Sequence, residues 1–119
     1  MNEKNNQRVL QMAFSSVYPH YLNKVERKGR TMAELHQVIF WLTGYDEPTF
    51  KQCLENKVDI KAFFNQAPAY HPHAHKITGV ICGIRVEAIQ DPLMQKIRQL
   101  DKLVDELAKG KAMGKILRA

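Results

Sequence analysis

Apolar residues recur along this chain at helical spacing, and the clearest run lies between Asp91 and Gly110. Leu93, Ile97, Leu100, Val104 and Leu107 follow one another at intervals of four, three, four and three residues. One face of an α-helix presents such a stripe to a core, and Met94, Leu103 and Ala108 widen it. Both ends are marked. Asp91 is placed to accept from the free amides of the first turn, Pro92 loses no needed donor there, and Gly110 enters a left-handed cap cheaply. Such a helix is ~28 Å long, close to the span of a small domain. On its outer face Lys102 with Glu106, Asp105 with Lys109, and Arg98 with Asp101 are spaced to pair. Each pair contributes only roughly 0.2–0.5 kcal/mol, so the apolar stripe decides the stability. The stripe also fits a heptad, which leaves a self-association seam as its second reading, but it lasts under three heptads and its width suits a core.

The rest of the chain is punctuated in the same way. Residues 1–7 are polar and read as a loose N-terminus. Residues 8–14 are apolar without a clean period and fit a short strand or an extended arm. Ser15 or Ser16 is expected to cap a helix reaching about Lys28, with Pro19 tolerated in its first turn. Tyr18, Tyr21, Leu22 and Val25 form its apolar face, and Gly29 ends it. Thr31 with Glu34 makes a capping box for a helix over 31–43, closed by Gly44, with Leu35, Val38, Ile39 and Leu42 inward. Asp46 and Pro48 start a third helix carrying Phe50, Cys53 and Leu54. Asp59 caps a short fourth one with Ile60, Phe63 and Phe64, and residues 67–76 form the one long loop.

The run from Ile77 to Ile89 is ambiguous. Its β-branched residues read as a buried strand near 77–86, but a lone strand lacks partners, so a helix of small residues ending at Gly83 is favoured. The pattern as a whole predicts an all-α fold on a single domain, 1–119. It is a compact bundle of about five or six helices with a long C-terminal helix, a short strand near 8–14 or 77–86 as the exception, and a basic tail over 111–119.

Composition narrows the classes. With 119 residues, 45% hydrophobic and 25% charged, the chain suffices for one core and is not of disordered type. No apolar run approaches the ~18 residues of a membrane span, and no signal peptide precedes Cys53 and Cys82. A cytoplasmic protein with reduced cysteines and no membrane partner is expected. The net charge of +6 is concentrated in two places: Lys24, Arg27, Lys28 and Arg30, then Lys109, Lys111, Lys115 and Arg118. A basic excess attracts nucleic acid or other anions, and it also keeps an ordinary surface soluble.

Several motifs together resemble a known group. WLTGYD, QAP, TGVICGIRVE, DPLMQKIR, and DKLVDELAKGKAM with KILR are similar to a small bacterial family catalogued as domain of unknown function 2200. The resemblance covers nearly the whole chain from Ser15 onward. It implies a single-domain cytoplasmic bacterial protein and carries over no activity, ligand or catalytic residue. The chain departs from the family pattern at Gly114, where that pattern has Glu, at Ile84, where it has Tyr, and at His71 and His73, where it has Asn. A histidine-based function would therefore not be a family property.

Candidate chemistries are few. His71, His73 and His75 alternate in an extended, Pro-stiffened segment, and with His36 or Cys82 they are the metal-ligand candidates. No Cys-x-x-Cys or His-Glu-x-x-His completes such a site, and a solvated loop is the plainer reading. Helices 31–43 and 48–57 have helix-turn-helix proportions, but Asp46 and Glu47 would meet phosphates. The stretch Gly110–Lys115 echoes a phosphate loop, yet it is one residue short and has Ile116 where a Ser or Thr is needed. Ser15 and Ser16 read as caps, and the cysteines lie in apolar runs where thiols stay inert. No constellation recommends an enzyme, and no cofactor is expected.

The tail repeats Met113, Ile116 and Leu117 at helical spacing, so it docks on its own core, on a second subunit or on an anionic partner. The leading expectation is a non-enzymatic interaction module, self-associating as a homo-oligomer through helix 91–109 or the tail. Second is nucleic-acid contact through the clusters at 24–30 and 109–118, by Lys24, Arg27, Lys28, Arg30, Lys111, Lys115 and Arg118. Third is a metal-dependent activity at residues 71–75.

Overall fold

Seven α-helices and one small hairpin build residues 3–118, the part of the chain that the computed structural model describes. Helix α1 spans Glu3–Gln11, α2 Phe14–Arg27, α3 Met32–Thr43, α4 Glu47–Glu55 and α5 Ile60–Asn65. A hairpin of β1 Val80–Ile81 and β2 Ile84–Arg85 follows, then α6 Pro92–Ala108 and α7 Met113–Ile116. The helical architecture and the long C-terminal helix match the hydrophobic pattern. The helix count exceeds five or six because the N-terminal residues and the tail each form one.

Local side chains start four of the helices. Thr31 Oγ1 accepts from the Glu34 amide at 3.1 Å, while Glu34 Oε1 accepts from the Thr31 amide at 3.0 Å. Asp46 takes the Thr49 amide at 3.0 Å, Asp59 takes Ala62 at 2.7 Å, and Asp91 takes Leu93 and Met94 at 3.0 and 3.2 Å. Such caps satisfy amides that the helix leaves free, for about 1 kcal/mol each. At the far end of α6, Gly110 adopts φ 89°, and the Gly110 and Lys111 amides turn back to Leu107 O and Glu106 O, both at 3.1 Å.

The apolar stripe of α6 lies in the core. Met94, Ile97, Leu100, Leu103, Val104 and Leu107 are buried, packed against α2, α3, α5, α7 and the hairpin. Phe14 stacks on Phe63 with ring centroids 3.9 Å apart, and Phe50 meets both rings edge-on. The tail completes this core: Ile116 is wholly buried on the chain's own α6 side.

The structure departs from the pattern at several places. The pattern predicts a loose end over 1–7 followed by a strand or arm over 8–14. The helix instead takes in Glu3–Gln11, residues 1–2 lying outside the described part, and strand-like pairing is confined to one bridge between Ala13 and Asp59. That bridge also displaces the predicted serine cap. The Phe14 amide donates to Val58 O at 2.9 Å, so α2 starts at Phe14 without a side-chain cap, and Pro19 falls beyond its first turn.

The favoured helix over 77–83 is a hairpin, with Val80 opposite Arg85 and Ile81 opposite Ile84. Cys82 and Gly83 at φ 52° and 76° form the two-residue loop, whose twist matches a right-handed ribbon. The missing strand partner is thus supplied within the same segment. On α6, the pairs Arg98–Asp101 and Asp105–Lys109 form at 3.0 Å each. Lys102 instead donates to Val80 O at 3.1 Å, and Glu106 turns inward.

Candidate functional site

The seven cations expected to meet anions separate into two groups. Four are engaged inside the chain. Lys24 pairs with Asp105 at 3.3 Å, and Arg30 pairs with Glu34 at 2.8 Å. Arg30 also donates to Leu107 O and Lys111 O at 3.3 and 3.0 Å, capping the carbonyl end of α6. Lys111 and Arg118 converge on the buried Glu106, at 3.4 and 2.6 Å. Arg27, Lys28 and Lys115 have no ionic partner among the described residues.

Two of these three, Arg27 and Lys28, stand at the C-terminal end of α2. Its inner face is apolar, so His20, Lys24 and Arg27 fall outward at intervals of four and three, with Asn23 and Lys28 beside them. These five residues line an open cavity of about 340 Å³. Lys24 is only half withdrawn: its side chain keeps 45% of its exposure while bonding to Asp105. Burial pushes the Asp105 carboxyl up, but hydrogen bonds from Lys109 and Lys24 outweigh it and hold the group below its usual range. Lys24 thus pairs with this carboxylate and still faces solvent.

A second cavity of about 230 Å³ shares His20 and Lys24 with the first and reaches the hairpin tip at Ile81 and Cys82. Its floor is polar. Tyr21 donates to Asp101 Oδ1 at 2.5 Å, and Arg98 holds the other carboxylate oxygen at 3.0 Å. Burial first, then Asp101, pushes the Tyr21 hydroxyl well above its ordinary value, so it remains a donor. Cys82 is exposed at this tip, whereas Cys53 is buried. Of the two cysteines expected in apolar surroundings, only Cys53 is sheltered.

The three loop histidines come within ring contact, with centroids 5.3 Å apart for His71 and His73 and 6.2 Å for His73 and His75. Their Nδ1 atoms face backbone groups. His71 accepts from the His73 amide at 3.0 Å, while His73 and His75 donate to Arg118 O and Pro72 O at 3.3 and 2.9 Å. His71 stacks on Trp41 at 3.9 Å between centroids. Among the described residues no group of three or more His, Cys, Asp or Glu side chains is placed to hold a metal ion. The arrangement ties the loop to α3 and to the tail.

Sequence reasoning missed a hydrogen-bonded chain across α2, α3 and α4. Glu47 Oε1 lies 2.6 Å from His36 Nδ1, and Tyr18 bonds to the other ring nitrogen. The carboxylate accepts, so Nδ1 donates to it, and Nε2 shares a hydrogen bond with the Tyr18 hydroxyl. Burial, then Glu47 and Glu26, raises the Tyr18 pKa. His36 packs against the Phe40 and Phe50 rings, at 5.4 and 5.2 Å. The chain is a polar joint between three helices.

A family model described as an uncharacterized protein conserved in bacteria (DUF2200) matches residues 8–118. The chain belongs to this family. The crystal structure of uncharacterized protein SP1917 is similar to it, at 51% identity and TM-score 0.88 over 93% of this chain and 91% of that one. No curated protein matches. The span matched to DUF2200 takes in the α2 face, the hairpin, the histidine loop and α6. No helix of the described residues is long and apolar enough to cross a membrane.

Proposed function

We propose that this DUF2200 protein is a non-enzymatic interaction module that docks an acidic segment of a partner protein on the exposed face of α2. The groove of His20, Asn23, Lys24, Arg27 and Lys28 carries the reading, because it gathers three cations of which only Lys24 has a carboxylate partner, Asp105. Residues three and four apart on a helix stand about 5–6 Å from one another, close to the ~6.6 Å between alternate acidic side chains on one face of an extended segment. The groove is open, so little desolvation opposes the contact, and complementary charge speeds encounter more than it deepens affinity. The α6 stripe and Ile116 of the tail, on which self-association would rest, are covered by the chain itself. That favours a foreign partner over a second copy. Two free cysteines suit a reducing, cytoplasmic setting.

Nucleic acid is the second reading, supported by the net charge of +6. With about three phosphates in reach, its affinity would follow salt with a log–log slope of only about −2.7. An NMR titration with capped octaglutamate at low ionic strength tests the proposal, with amide shifts expected from His20 to Lys28. Shifts confined to other elements, or none, would overturn it. Tighter binding of an oligothymidylate than of the peptide would move the assignment to nucleic acid. A dimer at tens of micromolar in light scattering would return it to self-association.

A further inference from the structure

A third cavity, of about 310 Å³, opens beside the first two turns of α6 and shares no residue with the α2 groove. Two opposite charges stand on its walls, Lys96 and Glu87. They do not pair with each other. Lys96 Nζ lies over the Tyr70 ring, 4.8 Å from its centroid, and Glu87 has Arg85 beside it at 3.6 Å. No ion pair joins Lys96 to any carboxylate among the described residues.

The surroundings are rigid. Gln99, only 5% exposed, donates to Ala74 O at 3.2 Å and accepts from the Tyr70 hydroxyl, which fixes the loop wall against α6. Glu87 is oriented by the Gly79 amide, at 3.1 and 3.3 Å from its two oxygens. Ile77 and Pro92 supply an apolar wall. The volume lies at the lower end of the range for small-molecule sites.

A lone anion would meet Lys96 but be repelled by Glu87, and a lone cation would suffer the reverse. A ligand carrying both poles satisfies both walls. We infer that this cavity binds a small zwitterion of the α-amino acid class. Its carboxylate lies on Lys96 Nζ, its ammonium on the Glu87 carboxylate, and its side chain against Ile77 and Pro92. The site is independent of the docking face on α2, and a free amino acid bound there would be a ligand additional to the protein partner.

The test is calorimetric and NMR titration of the full chain with each of the proteinogenic amino acids in turn. At least one is expected to bind with Kd below about 10 mM, shifting the amides of Tyr70, Glu87, Lys96 and Gln99. Its N-acetyl derivative, which lacks the ammonium, and its carboxamide, which lacks the carboxylate, should each bind at least about tenfold more weakly. Lys96→Met should remove the preference for the acid over the carboxamide, and Glu87→Gln the preference for the free amine over its N-acetyl form. Such loss of a single discrimination is not what a merely misfolded variant would give. Arg27→Gln with Lys28→Gln should leave this binding unchanged while weakening octaglutamate, so the two assignments fail separately. Failure of every amino acid to bind, or equal binding of the neutralised derivatives, would overturn the inference.

Discussion

Replacing Gly44 by Ala should cost far more than the same change at Gly29, although both glycines end a helix at φ 81°. The left-handed conformation costs an L-residue about 1–2 kcal/mol. Stiffening the unfolded chain returns about 0.4–1 kcal/mol. At Gly29 nothing lies within 4 Å of an added Cβ, so the net cost there is about 0.5–1 kcal/mol. At Gly44 the added Cβ would stand 2.7 Å from Ala69 N, 2.8 Å from Ala69 Cβ and 2.9 Å from Ala69 O. That backbone cannot retreat cheaply. The Ala69 amide donates to Thr43 O at 3.1 Å and the His71 amide to Leu42 O at 2.8 Å, holding the loop across the end of α3. Overpacking of this kind adds about 1–3 kcal/mol, for a total of about 2–4 kcal/mol.

Urea unfolding followed by Trp41, the only tryptophan, reads both variants. Because the displaced loop carries His71 against the indole, native-state emission should also change in Gly44→Ala and stay constant in Gly29→Ala. Equal destabilisation of the two variants within about 0.5 kcal/mol would refute the reasoning, since it would mean that close approach contributes nothing beyond the dihedral.

Three further outcomes follow from individual contacts. Lys57 holds φ 52° at the end of α4, a position that suits glycine, so Lys57→Gly should raise stability by about 0.5–1 kcal/mol in chemical denaturation. Arg118→Ala removes the shorter of two ion pairs to buried Glu106, whose Oε1 already lacks a partner, and should lower stability by about 2–3 kcal/mol in the same assay. Burial first, then His73, lowers the His71 pKa below its ordinary 6.5. The depressed value means that the native state holds fewer protons than the unfolded chain, so the contribution of neutral His71 is complete above pH 6.5 and fades as pH falls through the folded pKa. Trp41 emission should follow that protonation with a midpoint below 6.5, and the transition should vanish in His71→Asn.

What was legible in the sequence was local. Asp46, Asp59, Asp91 and the Thr31–Glu34 box cap as predicted, because a cap depends on residues two or three positions away. The stripe of α6 was legible for the same reason. The start of α2 was not, since the group that satisfies the Phe14 amide is Val58 O, remote in sequence. The hairpin was hidden by its loop: Cys82 occupies a left-handed position where Asn or Gly would have announced the turn.

The candidate site divides in the same way. Lys24, Arg27 and Lys28 could be named from charge alone. That Arg30, Lys111 and Arg118 are engaged elsewhere follows from the folding of the tail onto α6. His36 became interesting only when Tyr18 and Glu47 were brought to it from two other helices. Lys96 and Glu87 were likewise two unremarkable surface charges until the loop wall placed a cavity between them.

The measurement that bears most directly on the docking face is the affinity of Arg27→Gln/Lys28→Gln for capped octaglutamate at low salt, with thermal stability recorded alongside. Neither side chain has an ionic partner among the described residues, so the melting temperature should not move. Affinity should fall at least about tenfold. An unchanged affinity in a fully folded double variant would contradict the assignment of α2 as the surface that receives an acidic partner.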